Sequence, residues 1–146
     1  MNRIKSLATA ALAVVVLAGC EQRTVAVAGL CPDWKTAVAA TDQAAPVDNC
    51  VKRWAYTLAG AKDDAATVAN AVVAACEGSL TRWNQAGLAV PAPEGEQVSI
   101  LTGEPTNPQV EHYSFAETRA VLYVVQARAG RCSAPPIQNG VPTGVS

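Results

Sequence analysis

Apolar residues recur at three- and four-residue spacing through positions 46–86. Val47, Cys50, Val51, Trp54 and Leu58 fall on one face of a helix. Pro46 suits its first turn, where the missing N–H costs nothing, and Gly60 stands where a helix C-cap is expected. Asp63 and Asp64 then offer an N-cap and negative charge to a second helix. The apolar face of that helix is Val68, Val72, Cys76, Leu80 and Trp83. A link of a few residues implies an antiparallel hairpin.

The hairpin has a register. Folded about residue 63, it sets Cys50 opposite Cys76, Trp54 opposite Val72 and Leu58 opposite Val68. Every pair joins the two apolar faces. This predicts a Cys50–Cys76 disulfide, and closing a loop of that size stabilises by roughly 3–4 kcal/mol in the chain-entropy model. Cys31 and Cys132 then pair by elimination and tie the N-terminal segment to the last helix. The other reading is four thiols acting as small buried hydrophobes.

The flanking segments read differently. Cys31-Pro32-Asp33 opens a short helix over 34–41, with Asp33 as its cap. Residues 87–113 hold Pro91, Pro93, Pro105 and Pro108 with Gly87, Gly95 and Gly103, and only 97–102 has strand character. Glu94, Glu96, Glu104 and Glu111 make this loop acidic, and a solvated acidic loop is a simpler account than a cation site. Ser114-Phe115-Ala116-Glu117 has the form of a capping box. Ala116, Ala120, Tyr123, Val124 and Ala127 line the helix that follows, up to Gly130. Residues 133–146, rich in Pro and small residues, read as a flexible tail. The fold class is therefore all-α: a small disulfide-stapled bundle of three to four helices with a central antiparallel helical hairpin (about 46–86) and a long Pro/Gly-rich loop. The helical domain spans 31–132.

The start of the chain is of another kind. Asn2-Arg3-Ile4-Lys5 is basic, and residues 7–18 are uncharged and rich in Leu, Ala and Val. That run is shorter than the roughly 20 residues a membrane-spanning helix needs and has the length of a signal-peptide apolar region. It ends in Leu17-Ala18-Gly19-Cys20. This tetrapeptide resembles the lipobox of bacterial lipoprotein signal peptides; the resemblance covers residues 1–20 only. It implies removal of 1–19, a diacylglyceryl group on the Cys20 thiol and an acyl chain on the new amino terminus. Several chains, at about 0.8 kcal/mol per buried CH₂, make a stable anchor. Residues 20–30 become a tether. Glu21 in place of Asp leans, by the same resemblance, toward the outer membrane facing the periplasm.

Composition then narrows the chemistry. The 146 residues hold five cysteines; the odd one is Cys20, and the remaining four suit an oxidising compartment. Eleven basic and twelve acidic residues give a net charge of −1, which becomes −3 once Arg3 and Lys5 leave with the leader. That excludes the basic footprint of a nucleic-acid binder. One histidine and no C-x-x-C leave no metal site and imply no cofactor. His112 beside Glu111 is the one possible histidine base, with Ser79, Ser99 or Ser114 as nucleophile, though no nucleophile-elbow glycines surround any serine. Trp34, Trp54 and Trp83 fall on apolar faces, where packing is the plain role. An exposed aromatic platform rimmed by Arg53 and Arg82 is the alternative. The binding candidates are Trp83, Glu111 and His112. Three functions are consistent with this: a non-enzymatic, lipid-anchored module that binds an envelope protein or peptidoglycan; a small cell-wall-directed hydrolase; and a phage- or plasmid-borne exclusion or lysis-related lipoprotein.

Overall fold

The computed structural model describes residues 29, 31–34, 42–89, 98–99 and 102–145. The expected leader (1–19), Cys20, most of the helix expected over 34–41, and Glu94 and Glu96 lie outside them. The described chain forms α1 (Ala44–Leu58), α2 (Ala65–Ala75), α3 (Glu77–Leu88), α4 (Pro108–Gly130), β1 (Ile137–Gln138) and β2 (Val141–Pro142). It is a helical bundle with two disulfides, Cys50–Cys76 and Cys31–Cys132, the pairing expected from register and elimination. No helix among the described residues is long and apolar enough to cross a membrane.

Local chemistry sets the helix ends. Asp42 Oδ1 accepts from the N–H groups of Ala44 and Ala45 at 2.9 Å each, so α1 begins two residues before Pro46. Asp64 caps α2 as expected, accepting from Ala66 and Thr67 N–H. Gly60 is not a left-handed cap. The α1–α2 turn is closed by Ala61 N–H to Leu58 C=O at 3.0 Å. The Arg128 guanidinium also donates to the carbonyls of Ala59, Ala61 and Asp63.

Two boundaries depart from expectation. The second hairpin helix is broken at Cys76, which sits at φ −103°, ψ 9° between α2 and α3. Cys76 is buried and tied to Cys50, and Gly78, a poor helix former, follows two residues later. The last helix starts at Pro108 and not at Ser114. Asn107 Oδ1 accepts from Val110 N–H at 3.0 Å, and Pro108 occupies the first turn. An Asn cap followed by Pro is satisfied seven residues before the capping box, so Ser114 lies inside α4.

α4 packs along both α1 and α2. Val47, Val51, Val72 and Val124 are fully buried, and Ala55, Ala69, Ala116 and Ala120 are equally inaccessible. These alanines let the helices approach closely but bury little area each. Trp54 and Leu58 sit at the core edge, half-buried, because the buried stripe of α1 runs through Ala55 and Tyr56. Tyr123 donates its hydroxyl to Asp48, which also pairs with Arg119 at 3.5 Å.

Residues 133–145 are a docked hairpin where a flexible tail was expected. Ile137 faces Pro142 and Gln138 faces Val141. The turn is Asn139-Gly140, both with positive φ (53° and 79°), the strongest two-residue hairpin signal. Pro142 is buried, Asn49 Nδ2 donates to Gly144 C=O at 2.7 Å, and buried Arg53 donates to Thr143 C=O. Trp34 Nε1 donates to Ser133 C=O at 3.0 Å. Together with the Cys31–Cys132 bridge, these contacts hold both ends of the domain on α1.

Candidate binding site

Of the three binding candidates, the fold brings two together. Trp83 lies on α3 and His112 in the first turns of α4, and their rings stack with centroids 3.6 Å apart and planes 14° apart. Phe115, three residues beyond His112, meets Trp83 edge-on at 5.5 Å. His112 Nδ1 is 2.6 Å from Asn84 Oδ1; an amide oxygen accepts, so Nδ1 carries the hydrogen. Burial pushes the imidazole below its ordinary pKa of 6.5, and the neighbouring Glu111 charge pulls weakly the other way. The neutral ring is the form this packing favours.

Glu111 points elsewhere. It lines a separate hollow with Ser114, Phe115, Thr118 and Arg119. The possible serine nucleophiles also have other partners or places. The Ser79 hydroxyl accepts from Arg82 at 3.0 Å, the Ser99 hydroxyl from Thr102 N–H at 3.3 Å, and Ser114 lies on the Glu111 side of α4. Arg53 does not rim a platform at Trp54. Arg53 stacks over Trp34 at 5.4 Å and holds the C-terminal hairpin. Among the described residues no group of three or more His, Cys, Asp or Glu is placed to hold a metal ion.

Beside the Trp83–His112 stack runs a groove of about 520 Å³ between α2–α3 and the start of α4. Asn70, Glu77 and Asn84 line one side, Gln109 and Tyr113 the other, and buried Leu80 lies between. Tyr113 is half exposed (52%). Asn84 belongs to both features: it lines the groove and fixes His112. Leu80 is expected on an apolar helix face; the polar groove residues are not marked by that pattern. A signal was available, since Asn70, Glu77 and Asn84 recur every seven residues along α2–α3. Gln109 and Tyr113 are one turn apart, but only on a helix that starts at Pro108.

No known protein family matches the chain, and no curated protein or solved structure matches it either.

Proposed function

We propose that the protein is a bacterial envelope lipoprotein, anchored through Cys20, whose helical domain is a non-enzymatic binding module for peptidoglycan glycan. The anchor rests on Leu17-Ala18-Gly19-Cys20 behind a basic start and an apolar run. It is supported by the pairing of the other four cysteines with one another, which leaves Cys20 for the lipid.

The observation that carries the binding role is the lining of the groove. Amide side chains (Asn70, Asn84, Gln109) both donate and accept, which suits the hydroxyl and acetamido groups of a sugar. Tyr113 offers a ring face and a hydroxyl. Trp83 and His112 act behind this wall. Their stack and the Asn84 bond fix the amide that faces the ligand. Coverage of the imidazole by Trp83 favours this positioning role for His112 over general-base chemistry, and so a binding module over a hydrolase.

The test is NMR titration of the domain with soluble peptidoglycan fragments. Shifts should concentrate at Asn70, Asn84, Gln109 and Tyr113. Asn84→Ala removes a neutral hydrogen bond worth about 1 kcal/mol, so affinity should fall by a factor of about five. Tyr113→Ala should weaken binding at least as much. Shifts scattered over the surface, or affinity unchanged in both variants, would refute the assignment. For the anchor, Cys20→Ala should move the protein from the membrane fraction to the soluble fraction.

A further inference from the structure

α4 is apolar on two sides. Its inner face, including Ala116, Ala120, Val124 and Ala127, is buried in the core. Its outer face carries Thr118, Leu122, Val125 and Ala129, all exposed, with Leu122 at 41% and Val125 at 49%. An aliphatic stripe left exposed on the side opposite the core is a surface that a partner can cover.

The outer residues follow a rule of their own. Glu111, Phe115, Thr118, Leu122, Val125 and Ala129 are separated alternately by four and three residues. That is the 3.5-residue repeat of a seam packed against another helix. The hollow lined by Glu111, Ser114, Phe115 and Thr118, with Arg119 at its edge, has a volume of about 160 Å³ and lies on this seam. Its first four residues occupy positions i, i+3, i+4 and i+7, the set that forms a hole for one knob from a facing helix. Trp83 and Arg119 brace Phe115, so the hole is held open by the fold.

Hole and knobs lie on opposite halves of the same helix. The hole is in the N-terminal half, and the aliphatic knobs Leu122 and Val125 are in the C-terminal half. A two-fold axis brings each knob to the other copy's hole only if the helices run antiparallel. Charge selects the same orientation. Glu111 is the one ionisable residue among the six seam positions. Parallel pairing sets two Glu111 carboxylates together. Antiparallel pairing separates the two carboxylates by the length of the seam.

We infer that this face is a homodimer interface in which the α4 helices of two copies pack antiparallel, with Val125 and Leu122 of each entering the hollow of the other. The inference does not rest on the glycan groove, which lies on the other side of α4 at Gln109 and Tyr113.

Cross-linking of the full chain in intact cells with a short bismaleimide tests it. Chains carrying Thr118→Cys and chains carrying Leu122→Cys are co-expressed with distinguishable tags, and mapping confirms the native disulfides. The antiparallel contact places residue 118 of one copy beside residue 122 of the other, so mixed products should exceed either self-product several-fold. Adding Val125→Glu to both chains should abolish the product, while Tyr113→Ala should leave it unchanged. Preferential self-linking of each variant would mean parallel helices and overturn the proposal. A product of another mass would mean that a different protein covers the face, and no product from chains with intact disulfides would mean that no second copy does; either result overturns the proposal as well.

Discussion

The Cys50–Cys76 bridge joins α1 to the break between α2 and α3, and its removal should cost a large share of the domain's stability. The bridge closes a 26-residue separation. In the chain-entropy model a loop of that length is worth about 3.5 kcal/mol at 25 °C. Both cysteines are buried, at 1% exposure. A Cys50→Ala/Cys76→Ala double variant therefore also loses two packed atoms, adding about 1–2 kcal/mol. The sum, about 5 kcal/mol, is comparable with the lower end of the 5–15 kcal/mol that holds typical domains together. The alanine-rich core makes this loss harder to absorb, since each buried alanine contributes little area. The Cys31–Cys132 bridge spans 101 residues and encloses the shorter loop, so the two losses are coupled, and the measurement belongs in a background where that bridge is intact. The assay is urea unfolding followed by far-UV circular dichroism. A loss below about 1 kcal/mol would show that the bridge does not restrict the unfolded chain as the loop model requires.

Three further outcomes are expected. Burial holds the His112 pKa below its ordinary 6.5, so the unfolded chain takes up this proton first. The stability from the neutral ring is complete above about 6.5 and drains away as pH falls through the folded-state value. The stability gap between the parent and His112→Phe, followed by thermal unfolding, should therefore narrow on acidification; a gap independent of pH would refute it. Arg128 bonds three carbonyls of the α1–α2 turn, so Arg128→Ala should cost about 1–2 kcal/mol after allowance for solvent access. Arg128→Lys should recover only part, because an ammonium cannot match the guanidinium fork; full recovery by lysine would contradict the geometry. Asn107→Ala should cost about 1 kcal/mol and fray the first turns of α4, whereas Ser114→Ala should change little. The reverse order would restore Ser114 as the cap.

The hairpin and both bridges were legible because two amphipathic faces with a short link leave one register, and that register puts Cys50 against Cys76. Three features were not. The break at Cys76 depends on one residue's backbone angles, while the apolar spacing runs through it unchanged. The start of α4 was hidden by competing signals, since Ser114 has a capping box and Asn107-Pro108 has a cap with a favourable proline. Choosing Ser114 left Gln109, Glu111, His112 and Tyr113 in a loop and so concealed the groove. The C-terminal hairpin was masked by composition, although Asn139-Gly140 carried the turn chemistry. What fixes it is the pair of side chains Asn49 and Arg53, nearly a hundred residues away. Trp83 and His112 were both candidates, but only the packing of α3 on α4 stacks them.

The intact mass of the protein recovered from the membranes of a bacterial host tests the central claim most directly. The expected mass is that of residues 20–146 with both disulfides formed, plus a diacylglyceryl group and an acyl chain, with fragmentation placing the lipid on Cys20. Residues 20–146 with an unmodified Cys20, or cleavage at any other bond, would contradict the lipoprotein assignment.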